Sequence, residues 1–164
     1  MTPRWTVADP IFQQLRVRVV QAALASLGLD SAAAINLVLG TAAQESACRY
    51  LAQYPTGPAL GFWQIEPATH DDLLTSTLVS QPKLATGLAA LAAPGDRVDQ
   101  LAWNLRYAAA VCRLLYWRAP RPLPEADDLV ALSRYWKDFY NTPKGAGTPE
   151  EFQRNYLTHI GAPL

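Results

Sequence analysis

Cysteine, histidine and net charge are what this chain has least of, and each shortage removes a class of chemistry. The only cysteines, Cys48 and Cys112, stand far apart and neither belongs to a Cys-x-x-Cys pair, so no thiolate set with metal-binding spacing exists. They fit either one disulfide outside the cytoplasm or two free thiols on buried helices. His70 and His159 are equally isolated. Neither has an assignable partner for a histidine-activated nucleophile, and no metal or cofactor is expected. Lysine and arginine together number 14, against 14 aspartates and glutamates, and Arg113, Arg118, Arg121 and Arg134 are scattered among apolar residues. A surface that tracks a phosphate backbone needs a basic stripe, so nucleic acid is not an expected partner. No apolar run reaches the roughly 20 residues of a membrane span. Arg16 and Arg18 before Val19–Ala25 faintly resemble a signal peptide, but Asp9-Pro10 sits in the charged region, and the stretch reads as a core helix.

What is present is an ordinary globular composition, half apolar and 17% charged over 164 residues. One domain spanning residues 1–164 is expected, able to bury about 70% of its unfolded surface without a staple, with a monomer favoured. Helical punctuation recurs throughout. Asp9-Pro10 supplies an N-cap and a first-position proline, Gly28 a stop, and Phe12, Leu15, Val19, Ala23 and Leu27 recur at helical spacing between them. A second helix should run from Asp30 or Ser31 to about Ser46, with Leu37, Thr41 and Glu45 on one face. Pro55, Gly57 and Pro58 mark a loop, residues 62–65 a short extended piece, and Pro67 a new helix start. A short helix should lie between Pro82 and Pro94, and the longest should run unbroken from near Asp96 to Trp117. After the stiff Pro120–Pro124 connector comes a helix through Leu129, Leu132, Tyr135 and Trp136, then a turn at Tyr140–Gly147. The last helix opens on a capping box, Thr148-Pro149-Glu150-Glu151. Six or seven helices with little strand make an all-α fold.

The candidate chemistry starts at Glu45. A carboxyl ending an apolar helix is costly unless protonated or paired, and burial together with the negative helix end raises its pKa. A carboxyl that keeps its proton near neutral pH suits a general acid, the group a glycosidic oxygen needs as its bond breaks. A solvated helix-end glutamate is the plainer alternative. Glu45-Ser46 is followed by Gly61-Phe62-Trp63-Gln64-Ile65 with Pro67-Ala68-Thr69, then Asn104, then Tyr140-Asn141. These ordered stations resemble the lytic transglycosylase and goose-type lysozyme family, which cuts the glycan strands of bacterial peptidoglycan.

The resemblance covers most of the chain and implies a lysozyme-like fold. It implies Glu45 as acid and base, with Ser46 and Gln64 orienting the site and Tyr140-Asn141 lining the groove. Trp63, Trp136 and Tyr140 have the flat faces on which sugars stack, although such residues more often fill cores. Asn104 suits a structural role. Glu66, Asp71 or Asp72 facing Glu45 would instead activate water and hydrolyse the bond, although acids after Pro67 also suit a helix start. Phe62-Trp63 replaces the family's Leu-Met, Glu66 replaces an apolar residue, and Thr142-Pro143-Lys144-Gly145 replaces Ala-Gly, features of a divergent, phage-like branch. The implied partner is peptidoglycan at the bacterial cell wall or periplasm, reached by phage-assisted release or from a virion. The competing readings are a catalytically inactive glycan-binding or virion structural module on the same scaffold, and a helical regulatory partner or inhibitor.

Overall fold

The computed structural model describes residues 9–164. Its helices are α1 (Pro10–Leu15), α2 (Gln21–Ser26), α3 (Ala32–Glu45), α4 (Pro67–Asp72), α5 (Pro82–Leu91), α6 (Gln100–Trp103), α7 (Leu105–Trp117), α8 (Leu129–Trp136) and α9 (Pro149–His159). Wide π turns extend three of them, at Arg16–Val20, Leu73–Thr77 and Lys137–Asn141. Among the described residues β structure is limited to two isolated bridges, Ala52 with Leu60 and Leu60 with Ile65. The fold is therefore all-α, and no described helix is long and apolar enough to cross a membrane.

Helix α3 is the core of the molecule. Ser31 caps it by accepting the Ala34 amide at 3.2 Å, and every residue from Ala33 to Ala43 is buried. A helix apolar on all sides must be surrounded, and this one is packed by α7, α8 and α9. Gly40 permits the closest approach: a Cβ there would lie 2.4 Å from Phe152 Cζ on α9. Polar groups inside the bundle are paired, with Thr41 Oγ1 and the Tyr116 hydroxyl 2.7 Å apart and Tyr156 donating to Asn36 Oδ1.

Several expectations shift in detail. The first rod turns through the π turn at Arg16–Val20, and the extra residue moves its buried stripe from Val19 to Val20 and from Leu27 to Leu24. Asp9 does not cap α1 with its side chain; its carboxylate instead accepts from His159 Nδ1 at 2.7 Å. The single helix expected from Asp96 to Trp117 is two. Asn104 leaves helical geometry at φ −89°, ψ 86°, and its Oδ1 caps α7 by accepting the Tyr107 amide. Its Nδ2 donates to the Leu91 carbonyl, so the break is tied to the end of α5. Tyr140 and Asn141 do not form a free turn but close the π turn that continues α8, with Thr142 taking the left-handed φ of 72°. The capping box at Thr148 and Glu151 is formed in both directions, at 2.8 and 3.2 Å.

Candidate active site

Glu45 is the last residue of α3, where the chain must turn away from the core. It does so through Ala47 and Cys48, both left-handed at φ 48° and 55°, a conformation that side chains other than glycine adopt at a cost. Ser46 holds this bend. Its buried hydroxyl accepts the Cys48 amide at 3.0 Å and donates to the Phe62 carbonyl at 2.7 Å, so the end of α3 is fastened to the 61–64 turn. The Tyr50 hydroxyl donates to the Glu45 carbonyl at 3.2 Å and secures the bend from outside.

The Glu45 carboxyl lies in a poorly hydrated position. Burial raises its pKa from 4.5 to about 7, against the opposing effect of the Trp136 indole N–H, which donates to Oε1 at 3.0 Å and favours the charged form. Glu45 thus keeps its proton to a higher pH than an exposed glutamate does. Trp136 itself is fully buried, its ring tilted against that of Phe152.

The 61–64 turn is the second wall. Gly61 is left-handed at φ 75°, and a Cβ there would lie 1.9 Å from the Leu101 carbonyl oxygen, so only glycine fits. Gln64 is also left-handed, at φ 47°, and its Nε2 donates to the Gly61 carbonyl at 2.8 Å. Tyr140 braces the turn from below, donating to the Trp63 carbonyl at 2.6 Å while stacking on Tyr116. Positive-φ backbone thus stands on both sides of one carboxyl, at Ala47 and Cys48 and again at Gln64.

Two cavities meet here. The smaller, about 290 Å³, is lined by Glu45, Tyr50, Gln53, Tyr54, Gln64 and Glu66. The larger, about 390 Å³, again includes Gln64 and Glu66 and extends to Arg118, Phe139, Tyr140 and Asn141. Their shared residues make a groove that runs past Glu45. No family model, curated protein or solved structure matches this chain.

The structure thus brings together Glu45, Ser46, Gln64, Glu66, Tyr140 and Asn141. Three sequence candidates fall away. Trp63 is fully buried, with its indole N–H donating to the Val38 carbonyl at 2.9 Å, so it is a core residue and not a platform in the groove. Asp71 is exposed, pairs with His70 Nδ1 at 3.0 Å and lines neither cavity, because α4 turns it away. Asp72 likewise pairs with Arg118. Trp136, read in the sequence as a candidate platform that more often fills a core, is buried and donates to Glu45, a bond the sequence did not show. Tyr50, Gln53 and Tyr54 were read only as loop. The signal the sequence offered was a pair of tyrosines, Tyr50 and Tyr54, beside a proline-bearing loop; both are exposed, Tyr54 to 80%.

Cys48 and Cys112 are free thiols; burial pushes the first up to about 12 and raises the second further, so neither is an effective nucleophile near neutral pH. Among the described residues, no three His, Cys, Asp or Glu side chains are grouped to hold a metal ion.

Proposed function

We propose that this protein cleaves the β-1,4 bond between N-acetylmuramic acid and N-acetylglucosamine in peptidoglycan, as a lytic transglycosylase. The observation that carries the reading is the Glu45 carboxyl, desolvated to a pKa of about 7 and lining a cavity that adjoins a second, larger one at Gln64 and Glu66. Protonated Glu45 gives its proton to the glycosidic oxygen as the bond from C1 breaks, and the departing sugar leaves with a free 4-hydroxyl. The Glu45 carboxylate then takes the proton of the muramic acid 6-hydroxyl while that oxygen bonds to C1. The product is a 1,6-anhydro sugar, and the acid is restored without a second carboxylate. Gln64, fixed in a strained turn beside Glu45, offers its amide to the sugar, and Asn141 lines the neighbouring subsite. By this reading the protein works at the bacterial cell wall.

Glu66 supports one variant. It lines the same cavity as Glu45, and if it holds a water against C1 the outcome is hydrolysis, with a reducing end in place of the anhydro ring. Purified protein should clear a peptidoglycan zymogram, and Glu45→Gln should abolish clearing while remaining folded. Equal digestion by both proteins would remove Glu45 from the mechanism. Mass spectrometry of the released fragments distinguishes anhydro from hydrated ends.

A further inference from the structure

The charges along the groove are unevenly placed. Of the residues lining the two cavities, three are formally charged: Glu45, Glu66 and Arg118. Both acids line the smaller cavity and Glu66 lines the larger as well, whereas the cation belongs to the larger one alone. With Glu45 holding its proton, as the proposed reaction requires, an acidic polymer entering this groove would meet the Glu66 carboxylate, and Arg118 is the one lining cation that can offset it.

Arg118 is built to be held still. It is the residue that ends α7, and its NH1 donates to Asp72 Oδ2 at 2.7 Å across from α4. Asp72 is 57% exposed and lines neither cavity, so it grips the guanidinium from outside the groove. The Arg118 side chain is only 32% exposed, and its Nε and NH2 groups have no hydrogen-bond partner in the protein among the described residues. A guanidinium has five N–H donors, so one engaged edge leaves the fork available for a planar anion. Asn141 and Thr142, beside it on the cavity wall, add polar groups, and Phe139 and Leu115 limit water.

We propose that Arg118 is a carboxylate-binding residue of the groove, recognising the acidic group borne on the 3-position of the muramic acid ring. The assignment rests on the glycan-cleaving reading and adds to it a reason for choosing muramyl over plain N-acetylglucosamine polymers. The carboxylate has two sources with one chemistry, the lactyl group when it is free and a stem peptide when one is attached.

Binding in the Glu45→Gln variant tests this without requiring turnover. Calorimetric titration would compare a tetrasaccharide alternating N-acetylglucosamine and N-acetylmuramic acid with free lactyl groups, the same sugar carrying tetrapeptides, and chitotetraose, which is neutral. At least one acidic sugar should bind about tenfold or more tightly than chitotetraose, and the better of the two names the source. The advantage should shrink as sodium chloride is raised, disappear on Arg118→Met and fall to an intermediate value on Arg118→Lys, which keeps the charge but loses the fork. Equal affinities, a preference that survives Arg118→Met, or no binding to any of the three would overturn it. Should Arg118→Met not fold, the lysine variant and the salt series decide alone. Wild-type zymogram activity is scored separately. Clearing without a charge preference removes only the role of Arg118, and a charge preference without clearing removes only the cleavage reaction.

Discussion

At Glu45 two influences oppose each other, because burial favours the neutral acid while the Trp136 N–H favours the carboxylate, and the balance lies at about 7. If the acid must be protonated to act, kcat/KM should fall as pH rises through about 7. Trp136→Phe removes the group that favours the charged form, so the Glu45 pKa rises and this alkaline limb should move to higher pH. A limb that stays in place would show that the indole does not tune the acid. The same variant should lose about 1–3 kcal/mol of stability in urea, since a buried ring is being shortened. The raised pKa also has a cost in stability. The folded state holds the Glu45 proton more tightly than the unfolded chain, so stability falls as pH climbs from 4.5 to about 7, by roughly 3 kcal/mol. Glu45→Gln should therefore raise the melting temperature by several degrees at pH 8 and change it little at pH 4. Glu45 was legible in the sequence because an acid at the end of an apolar stretch is conspicuous. Its partner was not, because Trp136 lies 91 residues away and nothing local distinguishes an indole that donates to a carboxylate from one that fills a core.

Among the elements, the 61–64 turn has the least freedom. Gly61→Ala forces a side chain both into left-handed backbone and against the Leu101 carbonyl, so the turn must shift and carry Gln64 with it. Activity should drop about tenfold or more, with helix content by circular dichroism preserved. A fully active variant would mean that Gln64 tolerates displacement. Helix starts were well marked in the sequence, because Pro67, Pro82 and Pro149 each stand first in their helices and Thr148 carries a complete capping box. Helix interiors were less legible. Nothing near Asn104 breaks the apolar spacing from Leu101 to Leu115; the break comes from a side chain that caps α7 locally through Tyr107 and is tied to α5 through the Leu91 carbonyl, a partner 13 residues away. The π turns are hidden for the same reason. One extra residue per turn leaves composition unchanged and is recognisable only from which face becomes buried, as with Val20.

Across the whole molecule, Gly40 links packing to the site. It admits Phe152 against α3, Phe152 lies 5.4 Å from Trp136, and Trp136 holds Glu45. Gly40→Ala gains helix propensity of about 1 kcal/mol but overpacks a ring that has nowhere to go, at about 1–3 kcal/mol. A net fall in thermal stability is expected, together with reduced activity as Trp136 is pushed. A more stable and equally active variant would show that α9 yields freely. The all-α architecture followed from composition and punctuation, whereas the groove did not, since its walls come from the end of α3, the 61–64 turn and the π turn after α8, and only packing makes them neighbours. On its inner side the Glu45 carboxyl meets the indole of Trp136, with the phenols of Tyr116 and Tyr140 and the thiol of Cys112 near enough to feel its charge. Proton traffic is consequently one-ended. Under the proposed reaction, a hydrogen ion released by that carboxyl is replenished from the open face, and a glycan lying there would leave the sugar's own hydroxyl as the nearest replacement.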